Sequence, residues 1–361
     1  MIFDPKPKEK RVDLYDFEEE IDRIVKELHD SLTRMIVIKG LRRTGKSSIL
    51  RVSLNEAKLN YILVDMREFE DVSPKVFGYG LSKALNDIVK GRKRVLLEKI
   101  KAVSFIGMKI ELKTDREMDP SFRYKSIFRK INHWAEKKNT YFILAIDEAQ
   151  ELAKIGFDRY LAFLYDNLDR IKIVLTGSQV GVMDNILDNP DKPLFGRARI
   201  DIETKYLSKK QSISFLQTGF RELKIKIDPT IIERAAETLD GVIGWLTLFG
   251  WLVAKKEKAE EALQKTIELG IKTAYKEFER FLDTRGTGRK RYLEVMKILS
   301  EEPKRWSEIK TLLEIRLKRI IPNNQITKYL KELRKYGFIT KKENKYKIPD
   351  PILRKAITRK T

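Results

Sequence analysis

Residues 35–48 read Met35-Ile-Val-Ile-Lys-Gly40-Leu-Arg-Arg-Thr-Gly45-Lys46-Ser47-Ser48. The apolar run at its start predicts a short strand covered on both faces. A turn bounded by glycines follows, and then a helix from Lys46. From Gly40 to Ser47 the residues fit G-x-x-x-x-G-K-[ST] at every fixed position, between a strand and a helix, which is the context that gives this motif its meaning. The chemistry needs these residue types. The loop Gly40, Leu41, Arg42, Arg43, Thr44, Gly45 must wrap its N–H groups around phosphate oxygens, and glycine permits that curvature. The helix start at Lys46, Ser47 and Ser48 adds positive potential where the phosphates lie. Lys46 would reach the β- and γ-phosphates, and the Ser47 hydroxyl would ligate Mg²⁺. ATP with Mg²⁺ is therefore the expected ligand, and its hydrolysis the expected reaction.

Outward from this stretch, further short apolar runs occur at 61–64 (ending at Asp65), 141–146, 171–175 and 199–203. Helical spacing separates them. Phe17, Ile21, Ile24 and Leu28 form one stripe over 15–28, and residues 74–100, 121–136 and 160–169 also read as helical. Segment 104–112 alternates weakly around Gly107 and predicts a hairpin insert. Strands alternating with helices predict an α/β fold, a P-loop three-layer α/β/α domain with a mostly parallel sheet. After residue 204 the strand pattern stops. Residues 208–283 read as all-helical, a lid domain, and Arg285-Gly-Thr-Gly-Arg289 as a linker. The expected organisation is a polar, mobile, basic tail over 1–11, a P-loop ATPase core over 12–204, a helical lid over 205–284 and a winged helix over 289–361.

The second half of the nucleotide site is Tyr141-Phe-Ile-Leu-Ala-Ile146-Asp147-Glu148. A carboxylate at the end of a buried strand is costly without a partner. Mg²⁺, through water, is the natural partner for Asp147, and Glu148 could then polarise a water in line with the γ-phosphate. The structural alternative is an Asp-Glu helix cap. The fourth strand ends Leu175-Thr-Gly-Ser178, where Ser178 or Thr176 could sense the γ-phosphate or simply end a strand.

Four stretches together carry a resemblance: Gly40–Ser47, Ile146-Asp-Glu-Ala-Gln150, Leu175-Thr-Gly-Ser178 and Pro193-Leu-Phe-Gly-Arg197. Over about residues 12–285 the chain resembles the archaeal P-loop ATPase family. That family stands with the AAA+-like and signal-transducing ATPases that insert an additional strand and carry a catalytic glutamate. A winged helix often follows. The resemblance implies Lys46 and Ser47 as phosphate and Mg²⁺ ligands, Asp147 as the Walker B acid and Glu148 as catalytic base. It implies that the P-loop strand lies beside the strand adjacent to Walker B, and that Leu14–Phe17 help cover the adenine. Arg197 becomes a candidate γ-phosphate or finger arginine, in cis or in trans, or else a surface arginine. The chain departs from the pattern in carrying Ser178 where relatives carry Asn, Thr or Arg. It shows no sensor-two arginine, and it reads Gly241-Val-Ile-Gly244-Trp245-Leu where signal-transducing relatives carry Gly-x-Pro. Trp245 reads as core packing rather than as a base-stacking residue.

The chain has 361 residues, no cysteine and a formal net charge of +22. Disulfides and cysteine metal sites are excluded, and the two histidines, His29 and His133, are far apart in sequence. No run is apolar and long enough for a bilayer, and Met1–Arg11 lacks the apolar core of a signal peptide. A cytoplasmic protein without a membrane partner is the expectation. Residues 289–361 hold 22 Lys/Arg against 8 Asp/Glu, which is +14 of the total. Their helix, helix, helix, hairpin order is that of a winged helix-turn-helix. On its third helix Ile326, Leu330 and Leu333 form an inward stripe, while Asn324, Lys328, Lys331 and Lys335 share another face. That face could enter a major groove, with Lys341 and Lys342 of the hairpin on the backbone. The first expectation is a DNA-associated ATPase. The rivals are a signalling switch that assembles on ATP, with homo-oligomers, and a winged helix that docks unknown protein partners.

Overall fold

The computed structural model describes residues 1–69, 81, 102–104 and 120–359. The helix expected over 74–100 lies outside the described residues apart from Leu81, and so does 105–112 of the expected hairpin.

Six strands form one sheet: β1 (Met35–Gly40), β2 (Asn60–Asp65), β3 (Ala102–Ser104), β4 (Phe142–Asp147), β5 (Ile171–Gly177) and β6 (Ile200–Thr204). Their order is β3-β2-β4-β5-β1-β6. All pairings are parallel except β2 with β3. Every residue of β2, β4 and β5 is buried, as the uninterrupted apolar runs require when helices cover both faces. Strand alternation splits the core in two. Ile36 and Ile38 face α1 (Glu18–His29) and α2 (Lys46–Ala57), while Met35 and Val37 face α3 (Pro120–Lys137), α5 (Asp158–Asn167) and α6 (Val180–Asp188). A one-turn α4 (Leu152–Ile155) precedes α5. Strand β5 separates β1 from β4, so the P-loop strand lies beside the neighbour of the Walker B strand. Parallel register (Lys39 opposite Gly177, Ile146 opposite Leu175) brings the carboxyl ends of β1, β5 and β4 to one edge.

Helices α7 (Lys209–Glu222), α8 (Pro229–Leu239), α9 (Ile243–Ala254) and α10 (Ala259–Asp283) make the lid. Ser208 and Gln211 form a capping box on α7, and Asp228 caps α8 ahead of Pro229. The winged helix follows with α11 (Arg289–Glu301), β7 (Lys304–Arg305), α12 (Trp306–Leu317), α13 (Asn323–Lys335), β8 (Thr340–Lys342) and β9 (Lys345–Lys347). A final helix, α14 (Pro351–Arg359), packs on α10 and α11. Lid and winged helix share one hydrophobic core, in which Phe281 of α10 meets Tyr292, Tyr336 and Phe338 at 5.0–5.3 Å. The linker is not a free hinge. Arg285 pairs with Glu332 of α13 at 2.9 Å and lies over the rings of Phe281 and Tyr336 at 4.3 and 4.8 Å.

The amino-terminal residues depart from the expectation of a mobile tail. Phe3 is fully buried, with its ring 5.5 Å from Phe215 and 4.9 Å from Phe220. Gly219 and Gly250 let it in, since a Cβ at either would strike the ring. Along the same segment Arg11 pairs with Glu56 of α2, and Asn55 donates to the Glu9 carbonyl. The polar count of 1–11 conceals one anchoring aromatic, so the segment is a strap from the lid to the P-loop helix. Among the described residues no helix is long and apolar enough to cross a membrane.

Candidate functional site

The P-loop turns at the carboxyl end of β1 with Arg43 and Gly45 in the left-handed region. Lys46, 5% exposed, donates from Nζ to the Leu41 carbonyl at 2.5 Å and to Thr44 Oγ1 at 3.3 Å. Burial lowers its pKa to about 8, against the pull of Glu148 and Asp147. Thr44 is tied to the Leu41 carbonyl and to Thr204 of β6, at 2.9 and 2.7 Å. Ser47 Oγ donates to Asp147 Oδ2 at 2.7 Å. These are hard oxygen donors side by side, the kind that Mg²⁺ takes.

Asp147, at the end of β4, is 1% exposed. Its other oxygen accepts from Thr176, and Arg67 Nη2 reaches Oδ2 at 3.3 Å. Burial and the neighbouring Glu148 still hold its pKa above the usual carboxylate value, despite the bonds from Thr176 and Ser47 and the charge of Arg67. A divalent cation would relieve that upward push. Glu148 takes a left-handed backbone, φ 55°, a conformation that persists only where the surroundings impose it. Its N–H donates to Asp147 Oδ1 and Thr176 Oγ1 at 3.2 Å each. Its Oε2 accepts from Ser178 Oγ at 2.6 Å and from Gln150 Nε2. Burial pushes its pKa up, but Lys46, these two donors and Arg42 outweigh burial and leave it below the usual value. Glu148 is thus ionised at neutral pH. Two hydroxyls divide the work, Thr176 of β5 on Asp147 and Ser178 just after the strand on Glu148.

Ser48 Oγ accepts from the Lys8 backbone N–H of the strap at 3.0 Å. Phe17, just ahead of α1, and Ile243 of α9 both come close to Gly45, so the lid reaches the loop. The lid meets it at the Gly241–Trp245 motif. The Gly244 N–H donates to the Arg43 carbonyl at 3.2 Å, and Arg43 stacks 4.1 Å above the buried Trp245 ring. Trp245 donates from Nε1 to Asp350, ahead of α14. Arg43 also pairs with Glu277 of α10 at 2.5 Å. Arg42 donates to the Tyr336 carbonyl at 2.7 Å and lies 4.9 Å over the Phe338 ring. Both variable arginines of the loop therefore hold the lid and the winged helix.

The sequence left Arg197 as a finger arginine in cis or in trans or as a surface arginine. Arg197 precedes β6 at the amino-terminal edge of the sheet, opposite to the P-loop edge. There Asp166 takes its Nε and Nη2 at 3.0 and 2.5 Å. This chain's own P-loop is out of its reach, because parallel register with β1 separates the start of β6 from Gly40. The lysine face of α13 is exposed: Asn324, Lys328 and Lys331 stand open to solvent, as do Lys341 and Lys342 of the wing, with Lys335 partly covered. Asn324, Lys328, Lys331, Lys335 and Lys341 line a cleft of about 1000 Å³ shared with Gly40, Leu41, Asp184 and Glu203. Gly181 of α6 admits the backbone of Lys335, whose Cα lies 2.7 Å from where a Cβ would stand. Lys342 alone of the six lies on the exposed wing outside that lining. The helical period found the face correctly. It could not say that the face would stand across a cleft from Gly40 and Leu41.

Sequence reasoning missed Arg67, which follows β2 and grips Asp65 at 2.6 and 2.8 Å while touching Asp147. It also missed Gln150 as a partner of Glu148. Neither lies in a pattern with a phosphate-binding rationale, and only the sheet order brings Arg67 to Asp147.

Fold and site define a P-loop ATPase with an additional strand between P-loop and Walker B, a helical lid and a winged helix. A profile described as an ATPase domain predominantly from Archaea matches residues 14–246, and the chain belongs to that family and is an ATP hydrolase. A second profile, an MCM protein C-terminal winged helix-turn-helix domain, matches residues 287–349. Among solved structures, the Walker-type ATPase PABY2304 of Pyrococcus abyssi is 29% identical, with 99% of each chain covered and a TM-score of 0.82. The Aeropyrum pernix ORC2 protein in ADPNP–ADP complexes shares the fold at 12% identity, covering 99% of this chain and 95% of its own, with a TM-score of 0.62. No curated protein matches the sequence.

Proposed function

We propose that the chain is a Mg²⁺-dependent ATPase whose nucleotide state controls a DNA-binding winged helix. The core (12–204), the lid (205–284) and the winged helix (289–361) are its working units. The observation that carries this reading is the double use of Arg42 and Arg43. The loop that must receive the phosphates also holds Tyr336, Glu277 and Asp350.

Entry of the triphosphate replaces the Leu41 carbonyl as the partner of Lys46 and draws the two arginines toward negative charge. Both changes loosen the clasp on α10 and α13. Ser47 and Asp147 would hold Mg²⁺, which supplies charge neutralisation between the β- and γ-phosphates. Glu148, ionised and fixed on two donors, accepts a proton from the attacking water. Release of the clasp widens the cleft that Asn324, Lys328, Lys331, Lys335 and Lys341 line, so that a duplex can reach them together with Lys342. A finger role for Arg197 requires a second copy of the chain.

ATPase rate and DNA affinity, each at two salt concentrations with and without a non-hydrolysable analogue, test the reading. Glu148→Gln should retain ATP binding and slow turnover by about 10²–10⁴-fold. Analogue should tighten DNA binding, with the steep salt dependence of phosphate contacts. Parent-rate hydrolysis by Glu148→Gln removes the base assignment. DNA binding indifferent to both salt and nucleotide favours the second reading, a nucleotide-reset switch whose winged helix docks protein.

A further inference from the structure

We propose that Gln150 is a positioning residue for ATP hydrolysis, its side-chain amide fixing the carboxylate of Glu148 so that one oxygen stays available to the attacking water. The inference rests on Glu148 being the base.

Gln150 turns its NH₂, a donor, toward Oε2 of Glu148. Gln150 Nε2 and Ser178 Oγ both donate to Oε2 of that carboxylate. Two donors on Oε2 leave Oε1 to take the water's proton. The new bond runs from the water oxygen to the γ-phosphorus. The bond from that phosphorus to the bridging oxygen breaks, and its electron pair leaves with ADP.

The surroundings of Gln150 point to this one task. The side chain is 4% exposed, and its Oε1 is buried without a hydrogen-bond partner among the described residues. A methionine or leucine would fill the same space and strand no polar atom. The amide therefore serves its single bond, to Glu148. Room for it comes from Gly177, where a Cβ would stand 3.1 Å from Gln150 Oε1 and strike Met183. Glu148 itself cannot swing freely, because its left-handed backbone is pinned by Thr176. Backbone pin, Ser178 and Gln150 together specify one carboxylate orientation. Gly177 thus stands between two hydroxyl residues that each hold one acid, and its lack of a side chain admits the third donor.

Gln150→Met in the full chain keeps the volume and removes the donor. Its kcat for Mg·ATP should fall about 10–100-fold with KM within about twofold of the parent, since uniform binding is untouched. Combined with Glu148→Gln, the same substitution should add no more than about twofold, because its effect passes through Glu148. A parent-like kcat in Gln150→Met overturns the proposal. So does an equal slowing in both backgrounds, which would mark a role in packing. Should the methionine variant fail to fold by circular dichroism, Gln150→Glu is isosteric and sets an acceptor against the carboxylate; a parent-like kcat there overturns the proposal equally. If Glu148→Gln alone hydrolyses at the parent rate, the base reading fails first, and the two failures are told apart.

Discussion

Replacing Glu277 by glutamine cuts the ionic clasp between the lid and the P-loop while leaving both arginines in place. Glu277 on α10 holds Arg43 Nη2 at 2.5 Å and Arg42 Nε at 3.6 Å. The side chains are 33% exposed for Glu277 and 16% and 21% for the arginines, so solvent screens the pairs only in part. Exposed pairs contribute about 0.2–1 kcal/mol, and losing one partner of a buried pair costs about 3–5 kcal/mol. Glutamine keeps an acceptor and the arginines keep Asp350, Tyr336 and Trp245. We therefore expect about 1–2 kcal/mol of weakened closure, or about 5–30-fold in the ratio of closed to open forms. If DNA binds only the open form, its apparent affinity rises by the same factor. A chain without cysteines permits clean labelling. Spin labels on Asp191→Cys in the core and Lys342→Cys in the wing report the distance between them. Glu277→Gln should broaden that distance distribution and tighten DNA binding at fixed salt. A distribution that superimposes on the parent, with DNA affinity unchanged or weaker, refutes the clasp.

Two further outcomes follow from buried groups. Phe3→Ala should destabilise the chain by about 3–5 kcal/mol in denaturant unfolding, the cost of emptying a fully buried aromatic site; a loss under about 1 kcal/mol would mean that the strap is not docked in solution. Burial holds Lys172, 2% exposed and bonded to the carbonyls of Asp30 and Thr33, at a pKa of about 8. The folded state therefore binds fewer protons than the unfolded state between pH 8 and the ordinary lysine value of 10.5, and Lys172 makes stability rise with pH across that window. Lys172→Met should lack this increment when unfolding is compared at pH 7.5 and 9.5, and an identical pH slope in both proteins would contradict the assignment.

The parallel sheet, the P-loop and the Walker B acid were legible because each is a local pattern with a local cause. Apolar runs of strand length need cover on both faces, and a phosphate-binding turn needs its glycines. Other features are not local. Nothing local to Lys8 points to Ser48, and the polar count over 1–11 outweighed Phe3, whose partners lie more than 200 residues away. Helix α14 went unread because Pro351-Ile-Leu is too short an apolar signal to separate from a tail.

From its residues alone this chain had to fold as a P-loop ATPase with a basic winged helix, since spacing and side-chain chemistry specify strand, loop and helix within about ten residues. What the exposed face of α13 stands opposite, which arginine stands beside the acids and what restrains Glu148 were decided only by assembly. Arg67 and Asp147 are 80 positions apart, and Arg42 and Tyr336 are 294 apart. No periodicity spans such intervals. Strand order in the sheet and the core shared by lid and winged helix bring them together, because buried apolar surface is gained only in that arrangement.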